Sequence, residues 1–312
     1  MDRGGCSFIA KAQRAEAAGA LALIIVNDQP GDERINMTGT GTVAIPTVMV
    51  SLADGAALRA SAGSPARVHR ELRPDIDSAL DTQVVVHEWG HFLHHRLVAC
   101  GSHQCGAQSE GWADFLALMM LLRPEDDLDG PFPMGSFANH GRRPTYFGIR
   151  RVPFSPNRAF DDLSFRHVAD DEPLPTTQPI ALGGSANSEV HNAGEVWASM
   201  LFDALASLIR RSRTPGAPYD FEGARRRFAR YVVTGMQLAP RAPTFTEQRD
   251  ALVAAALERD VEDARRIAEA FAGRGAGTCA WSPGRYSTDL RGVIEDFDVG
   301  PRPRVTAVEV IL

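Results

Sequence analysis

Lysine is nearly missing from this chain of 312 residues, since Lys11 is the only one and arginine supplies the other positive charges. The formal net charge is -6 and no basic cluster occurs, which argues against nucleic acid as the main partner.

Long apolar runs are also missing, because no stretch approaches the roughly 20 apolar residues of a membrane-spanning helix. No signal peptide is visible near Met1. With 44% hydrophobic residues, the chain can bury a core in about two domains.

Cysteine is scarce, with four in the chain. Cys100 and Cys105 are close enough in sequence to bridge a short loop in an oxidising compartment, or they stay reduced. Cys6 and Cys279 have no assignable partner. The cysteines therefore leave the redox state of the chain open.

One short motif is typical of metal sites: His87, Glu88 and His91 form the pattern H-E-x-x-H. Histidines four residues apart on a helix project from one face, so both can bind one metal ion. Neutral imidazoles suit zinc, and a catalytic zinc site has three protein ligands and a fourth position for water. Glu110, nineteen residues after His91, can supply the third ligand.

Glu88 lies next to the face that carries the histidines. Zinc would lower the pKa of bound water from near 16 to roughly 7, and Glu88 could accept its proton during attack on an amide carbonyl. The pattern predicts a zinc peptidase. Because His87, His91 and Glu110 already complete a catalytic set of zinc ligands, Cys100 and Cys105 are disfavoured as ligands.

The surroundings of the motif predict two helices. Asp77 or Ser78 is expected to cap a helix that runs from about residue 78 to residue 98. A second helix is predicted to begin near Ser109, with Glu110 and Asp114 on one face. Asp114 would then accept the second ring N–H of one of the two histidines and fix its orientation. The alternative is that both carboxylates are ordinary solvated helix residues.

His94 and His95 also invite assignment as ligands. His94 lies about two turns from His87, too far along the helix for both to bind one zinc ion with His91 between them. Both histidines are therefore predicted to have structural or supporting roles.

Three blocks of sequence occur in a characteristic order. The first comprises residues 77–97 with the following Glu-Gly-Trp-Ala-Asp-Phe at 110–115, the second is Gly-Ile-Arg-Arg-Val-Pro-Phe-Ser at 148–155, and the third is Val-His-Asn-Ala-Gly-Glu-Val-Trp-Ala at 190–198. Together they resemble the fungalysin family of secreted zinc endopeptidases, which are relatives of thermolysin. The resemblance implies that His87, His91 and Glu110 bind zinc and that Glu88 is the general base.

The same resemblance gives roles to two further residues. His191 aligns with a histidine that donates to the oxyanion of the tetrahedral intermediate, and a capping or core role is its alternative. Arg150 aligns with an arginine that holds a substrate carbonyl. Two alternatives stay open: the adjacent Arg151 could align with that arginine instead, or Arg150 is an ordinary surface charge. Thermolysin-like enzymes use a tyrosine between the metal helix and the third ligand as a second donor to the oxyanion, and this chain has no tyrosine between His91 and Glu110.

Residues 3–60 form a different unit. An alanine-rich helix around 10–18 is followed by Gly19 and a strand within 21–26, and a second apolar segment at 44–51 precedes a short helix. This part resembles the later half of a protease-associated domain, an accessory module without catalytic residues. The alternative is an α/β fragment that belongs to the catalytic fold.

The predicted domains are the C-terminal part of a protease-associated domain at 1–66, a fungalysin-like catalytic subdomain at 67–285, and the start of a possible trailing β-domain at 286–312. Helices are expected at 196–209, 221–238 and 245–271. Only about 25 residues separate the accessory unit from His87, whereas the family has an N-terminal catalytic subdomain there. The chain is therefore expected to be a fragment, or to begin late.

The resulting fold class is α+β: a partial α/β protease-associated domain followed by a mainly helical zincin subdomain of the thermolysin-like type. The predicted function is that of a secreted, extracellular zinc metalloendopeptidase with protein or peptide substrates and Zn²⁺ as cofactor. The alternatives are a degenerate, inactive zinc-binding module and, with less support, a zinc aminopeptidase. Two-metal exopeptidases do not use an H-E-x-x-H helix, which weakens the last reading.

Overall fold

The chain divides into two units, Met1–Asp75 and Ile76–Leu312. The computed structural model describes residues 1–28, 37, 39–68, 77–139, 146–181 and 186–300. The strand predicted at 305–312 therefore lies outside the described residues. Within these ranges, none of the helices combines the length and the apolar character that a membrane crossing requires.

The first unit pairs two strands in parallel. Helix α1, Phe8–Ala17, begins after Ser7, whose hydroxyl caps it, and strands β1, Leu23–Val26, and β2, Thr47–Val50, run side by side. Helix α2, Leu52–Ala60, begins directly after β2, where the sequence predicts a short helix. The parallel pairing needs a crossover connection, as in an α/β fold.

The second unit begins with the helix that carries the H-E-x-x-H motif. Helix α3, Thr82–Leu97, starts four residues later than predicted. Residues Ser78–Leu80 instead form a 3₁₀ turn capped by Asp77, and a second aspartate, Asp81, caps α3. Two capping aspartates four residues apart divide the predicted helix into a short turn and the helix itself.

The helix that carries the third predicted ligand is longer than predicted. Helix α4, His103–Leu121, begins six residues before Ser109, because Ser102 accepts a hydrogen bond from the backbone N–H of Cys105 and caps it. Nearly the whole helix is buried. The indole of Trp112 packs edge-on against that of Trp197, with ring centroids 5.5 Å apart.

The remaining helices pack against α4 or against one another. Helix α5, Val190–Ser212, begins earlier than predicted, at the third sequence block, and α6, Phe221–Leu238, has the predicted bounds. The single helix predicted at 245–271 is wrong, because the chain forms α7, Phe245–Leu257, and α8, Val261–Gly273. Asp260 caps α8, and its extended backbone at φ -155° separates the two helices although the apolar spacing continues. Helix α5 packs against α4, α6 and α8, and α7 packs against α6 and α8. The mainly helical character predicted for this unit is confirmed.

Candidate metal centre

Two histidines of α3 and a glutamate of α4 point their polar atoms at one another. The Nε2 atoms of His87 and His91 are 3.0 Å apart. Glu110 places Oε2 at 3.3 Å from Nε2 of His87 and Oε1 at 3.6 Å from Nε2 of His91. One ligand atom from each residue lies within 4.8 Å of the other two. The geometry is that of three ligands around a common point.

Asp114 fixes the ring of His87 from behind. Its Oδ1 lies 2.7 Å from Nδ1 of His87, and the carboxylate is fully buried on α4. Arg150 donates to both oxygens of Asp114, over 2.5 Å from Nε and 2.7 Å from Nη2. Burial alone would raise the pKa of Asp114, but Arg150 and His87 outweigh it and lower the pKa to about 2. An ionised carboxylate only accepts, so Nδ1 of His87 must carry a proton.

Ser109 fixes the ring of His91. Its Oγ lies 2.9 Å from Nδ1 of His91 and 3.1 Å from Nε2 of His95. The hydroxyl has one proton, so donation to His95 leaves an oxygen lone pair to accept from Nδ1–H of His91. Burial lowers the pKa of His91, which favours the neutral ring. Nε2 of His91 then presents its lone pair to the centre.

The centre has more acceptors than donors. Oε2 of Glu110 is buried and has no hydrogen-bond donor among the described residues. Burial alone would lower the pKa of His87, yet the carboxylates of Asp114 and Glu110 raise it to about 9. A cation is therefore strongly favoured at this position. Two imidazole nitrogens and one carboxylate oxygen are the donor set of a His₂Glu zinc site, so the residues fit zinc.

His191 approaches the centre from the first turn of α5. Its Nδ1 lies 2.8 Å from Oε1 of Glu189, and its Nε2 lies 3.5 Å from Oε2 of Glu110. The hydrogen bond to Glu189 raises the pKa of His191, so the ring carries a donor proton more readily. About half of the side chain, 51%, is exposed. A ligand at the centre can therefore contact it.

A glycine pair brings α4 and α5 close enough for this arrangement. A Cβ atom on Gly111 would lie 2.5 Å from the carbonyl oxygen of Gly194, and one on Gly194 would lie 2.6 Å from Cβ of Glu110. No side chain fits between the two backbones. Gly111 and Gly194 thus place the start of α5 beside Glu110.

Glu88 is exposed on α3 beside the two histidines. Within the described part of the chain, its carboxylate has neither a hydrogen bond nor an ion pair. The structure thus leaves it free to contact a molecule at the centre.

Arg150 is only 5% exposed and lies behind the centre, against Asp114. Its Nη2 also lies 3.8 Å from Oε2 of Glu110. The role in substrate binding predicted for Arg150 stays a prediction.

Sequence reasoning missed several supporting residues. Arg151 and Glu195 form a buried ion pair over 2.7 Å, which joins the second and third sequence blocks directly. Ser109 and His95 were not connected with His91, and Glu189 was not connected with His191. Among these, only His95 gave a signal in the sequence, since a second histidine pair follows the motif by one turn.

Comparison with known proteins matches these features. The model of the fungalysin metallopeptidase (M36) family matches residues 41–280, and that of the PA domain matches residues 1–58. Extracellular metalloproteinase 5 of Arthroderma benhamiae is 26% identical over 86% of this chain and 43% of its own length. The probable extracellular metalloproteinase 3 of Trichophyton verrucosum is 30% identical over 80% of this chain and 40% of its own.

The chain spans less than half the length of these two relatives. A shorter relative, extracellular metalloproteinase 3 of Trichophyton soudanense, is 30% identical over 80% of this chain and 65% of its own length. Since the family model covers residues 41–280, most of the chain including every residue of the candidate centre, the chain belongs to the fungalysin metallopeptidase family.

Proposed function

We propose that the chain is the catalytic part of a zinc metalloendopeptidase in which His87, His91 and Glu110 hold the metal. One observation carries the proposal: two imidazole nitrogens and a buried carboxylate oxygen converge, and none of the described residues donates a hydrogen bond to that oxygen. A buried carboxylate oxygen without a hydrogen bond is costly unless a metal ion binds it, and the guanidinium of Arg150, at 3.8 Å, lies beyond hydrogen-bond distance. The family membership supports the same reading.

When bound, zinc supplies a Lewis acid that lowers the pKa of water and polarises a carbonyl oxygen. Glu88 accepts a proton from the attacking water and passes it to the leaving amine. Its exposure and its freedom from partners within the described ranges support this role.

His191 donates a hydrogen bond to the oxyanion that forms during attack. Glu189 holds its Nδ1, so Nε2 is the atom left to donate. One donor of this kind stabilises the transition state by about 3 kcal/mol. Asp114 keeps His87 in the tautomer that presents Nε2, and Arg150 holds Asp114 in place.

The substrates are proteins or peptides, and the protein acts outside the cell. The printed names of the relatives, extracellular metalloproteinases, support both statements. Residues 1–66 serve as the accessory protease-associated module and residues 67–285 as the catalytic subdomain, with a trailing segment from 286 onward. The match of the PA model to residues 1–58 supports the first boundary.

The test is cleavage of an unstructured protein such as casein by the zinc-loaded chain, compared with Glu88→Gln. The variant should retain one zinc ion and lose activity by roughly 10² to 10⁴, because the general base is gone. A chelator should abolish the activity of the unchanged chain. Glu258→Gln, at an exposed position after α7, is the matched control and should cleave normally.

Full activity of Glu88→Gln would remove Glu88 from the mechanism. Zinc binding without any cleavage by the unchanged chain would instead favour the alternative of an inactive zinc-binding module.

A further inference from the structure

His94 is a buried histidine whose two ring nitrogens have no hydrogen-bond partner within the described ranges. Its side chain is 0% exposed, on the face of α3 that packs into the unit. A neutral imidazole has one N–H and one lone pair, and an interior position that satisfies neither is unfavourable unless another group uses them. Burial, followed by the neighbouring His95 and His91, lowers the pKa of His94 to about 3, so its lone pair stays available.

Two cysteines face this imidazole. Cys100 follows the end of α3, and Cys105 lies in the first turn of α4, with Cα atoms 5.6 Å apart. A ring nitrogen of His94 and the two sulfurs lie within 4.8 Å of one another. Four residues separate the cysteines, which is within the spacing of two to four that zinc-binding cysteine pairs use.

We propose that His94, Cys100 and Cys105 form a second metal site, separate from the centre of His87, His91 and Glu110, for a borderline cation such as Zn²⁺. Two thiolates neutralise a divalent cation, and a neutral imidazole adds no charge. The complete site is therefore uncharged, which suits a position as buried as that of His94. The N-terminus of α4 also favours negative charge on Cys105.

The site exists only when the cysteines are reduced. They form a disulfide in this structure, and a disulfide offers no thiolate. An external dithiol breaks the bond by exchange: it gives two electrons and two protons to the protein sulfurs and becomes a disulfide itself. Zn²⁺ then displaces the two thiol protons and binds both sulfurs and His94. The disulfide and the metal are thus alternative occupants of one position.

A route for the ion and a fourth ligand is present on the Cys100 side. Cys100 is partly exposed and borders an open cavity of about 470 Å³, with His95, Val98, Ala99, Gly101 and Ser102. Water from this cavity can take the fourth position of a site with three protein ligands. Gln104, whose amide donates to the carbonyls of Pro283 and Gly284, anchors the start of α4. The sulfurs can therefore separate without unfolding the helix.

The test uses Co²⁺ as the probe, because cobalt bound to thiolate absorbs in the near ultraviolet and cobalt bound only to imidazole and carboxylate does not. The protein is reduced with dithiothreitol, desalted without oxygen and titrated with Co²⁺, beside the untreated disulfide form. The reduced form should show the sulfur-to-cobalt absorption and bind about one equivalent more metal than the disulfide form.

Variants show which residues bind the cobalt ion that gives the absorption. His94→Ala should remove or greatly weaken it, and the matched control His95→Ala should retain it. The double variant Cys6→Ser/Cys279→Ser, which removes the two free cysteines, should also retain it. Reduced protein of unchanged helical content that shows no such absorption would refute the site, as would absorption that persists in Cys100→Ser/Cys105→Ser.

The comparison of the reduced and disulfide forms needs no variant, so it tests the second metal site even if a cysteine variant fails to fold. It is also independent of peptidase activity. Loss of the catalytic centre would leave the thiolate absorption unchanged.

Discussion

At the scale of single residues, each histidine of the candidate centre is oriented by a side chain that contacts its Nδ1 atom. Asp114 holds His87, Ser109 holds His91, and Glu189 holds His191, each at Nδ1. All three rings are thus directed with Nε2 toward Glu110. Partners of this kind matter because a histidine in the wrong tautomer presents a proton where a metal needs a lone pair.

Removal of the Ser109 hydroxyl should therefore weaken metal binding. Ser109→Ala leaves Nδ1 of His91 without its acceptor and frees the ring to adopt the other tautomer. We expect zinc affinity to fall by about ten- to a hundredfold, measured by competition with a chromophoric chelator. Ser287→Ala, which removes a hydroxyl bound to Asp289, is the control. Equal affinities of the two variants would show that Ser109 does not orient the ligand.

At the scale of the elements, the close approach of α4 and α5 depends on two glycines. Gly111→Ala places a Cβ atom 2.5 Å from the carbonyl oxygen of Gly194, so the helices must separate. We expect destabilisation by about 1–3 kcal/mol in urea unfolding, together with weaker zinc binding.

Gly106→Ala is a matched control in the same helix. Its Cβ atom would lie 3.6 Å from the nearest atom, Cγ1 of Val190, which is an ordinary contact. Because alanine favours a helix more than glycine does, this variant should gain up to about 1 kcal/mol. Changes of the same sign in both variants would contradict the close-packing argument.

The buried pair of Arg151 and Glu195 joins α5 to the segment that carries Arg150. Glu195→Gln leaves the guanidinium of Arg151, 2% exposed, without a counter-charge. We expect a loss of about 3–5 kcal/mol in urea unfolding, since one partner of a buried pair is removed. Glu262→Gln, which removes an exposed partner of Arg265, should change stability by less than about 1 kcal/mol. A small effect of Glu195→Gln would mean that water reaches Arg151.

Helix positions in this unit were partly predictable from the sequence. The bounds of α6 were predictable, because its apolar spacing is regular and Asp220 caps it. The starts of α3 and α4 could not be predicted, because each region contains two residues that can cap a helix. Packing selects Asp81 over Asp77 for α3 and Ser102 over Ser109 for α4. Apolar spacing also continues through Asp260, so it could not reveal the break between α7 and α8.

At the scale of the whole molecule, the second unit brings residues from distant parts of the chain to one point. Spacing within α3 predicted the pairing of His87 and His91, because four residues fix one helical turn. The partners Ser109, His95 and Glu195 required the packing of three helices, which no local pattern contains. The same packing left His94 facing Cys100 and Cys105, a cluster that the sequence had disfavoured for metal.

The proposed catalytic centre holds its metal by two imidazoles and a carboxylate. The measurement that tests it most directly is zinc X-ray absorption spectroscopy of the disulfide form loaded with one equivalent of Zn²⁺. This ligand set predicts only nitrogen and oxygen neighbours of zinc, with an imidazole signature that decreases in His91→Ala. Sulfur neighbours in the disulfide form, or a spectrum that His91→Ala leaves unchanged, would contradict it.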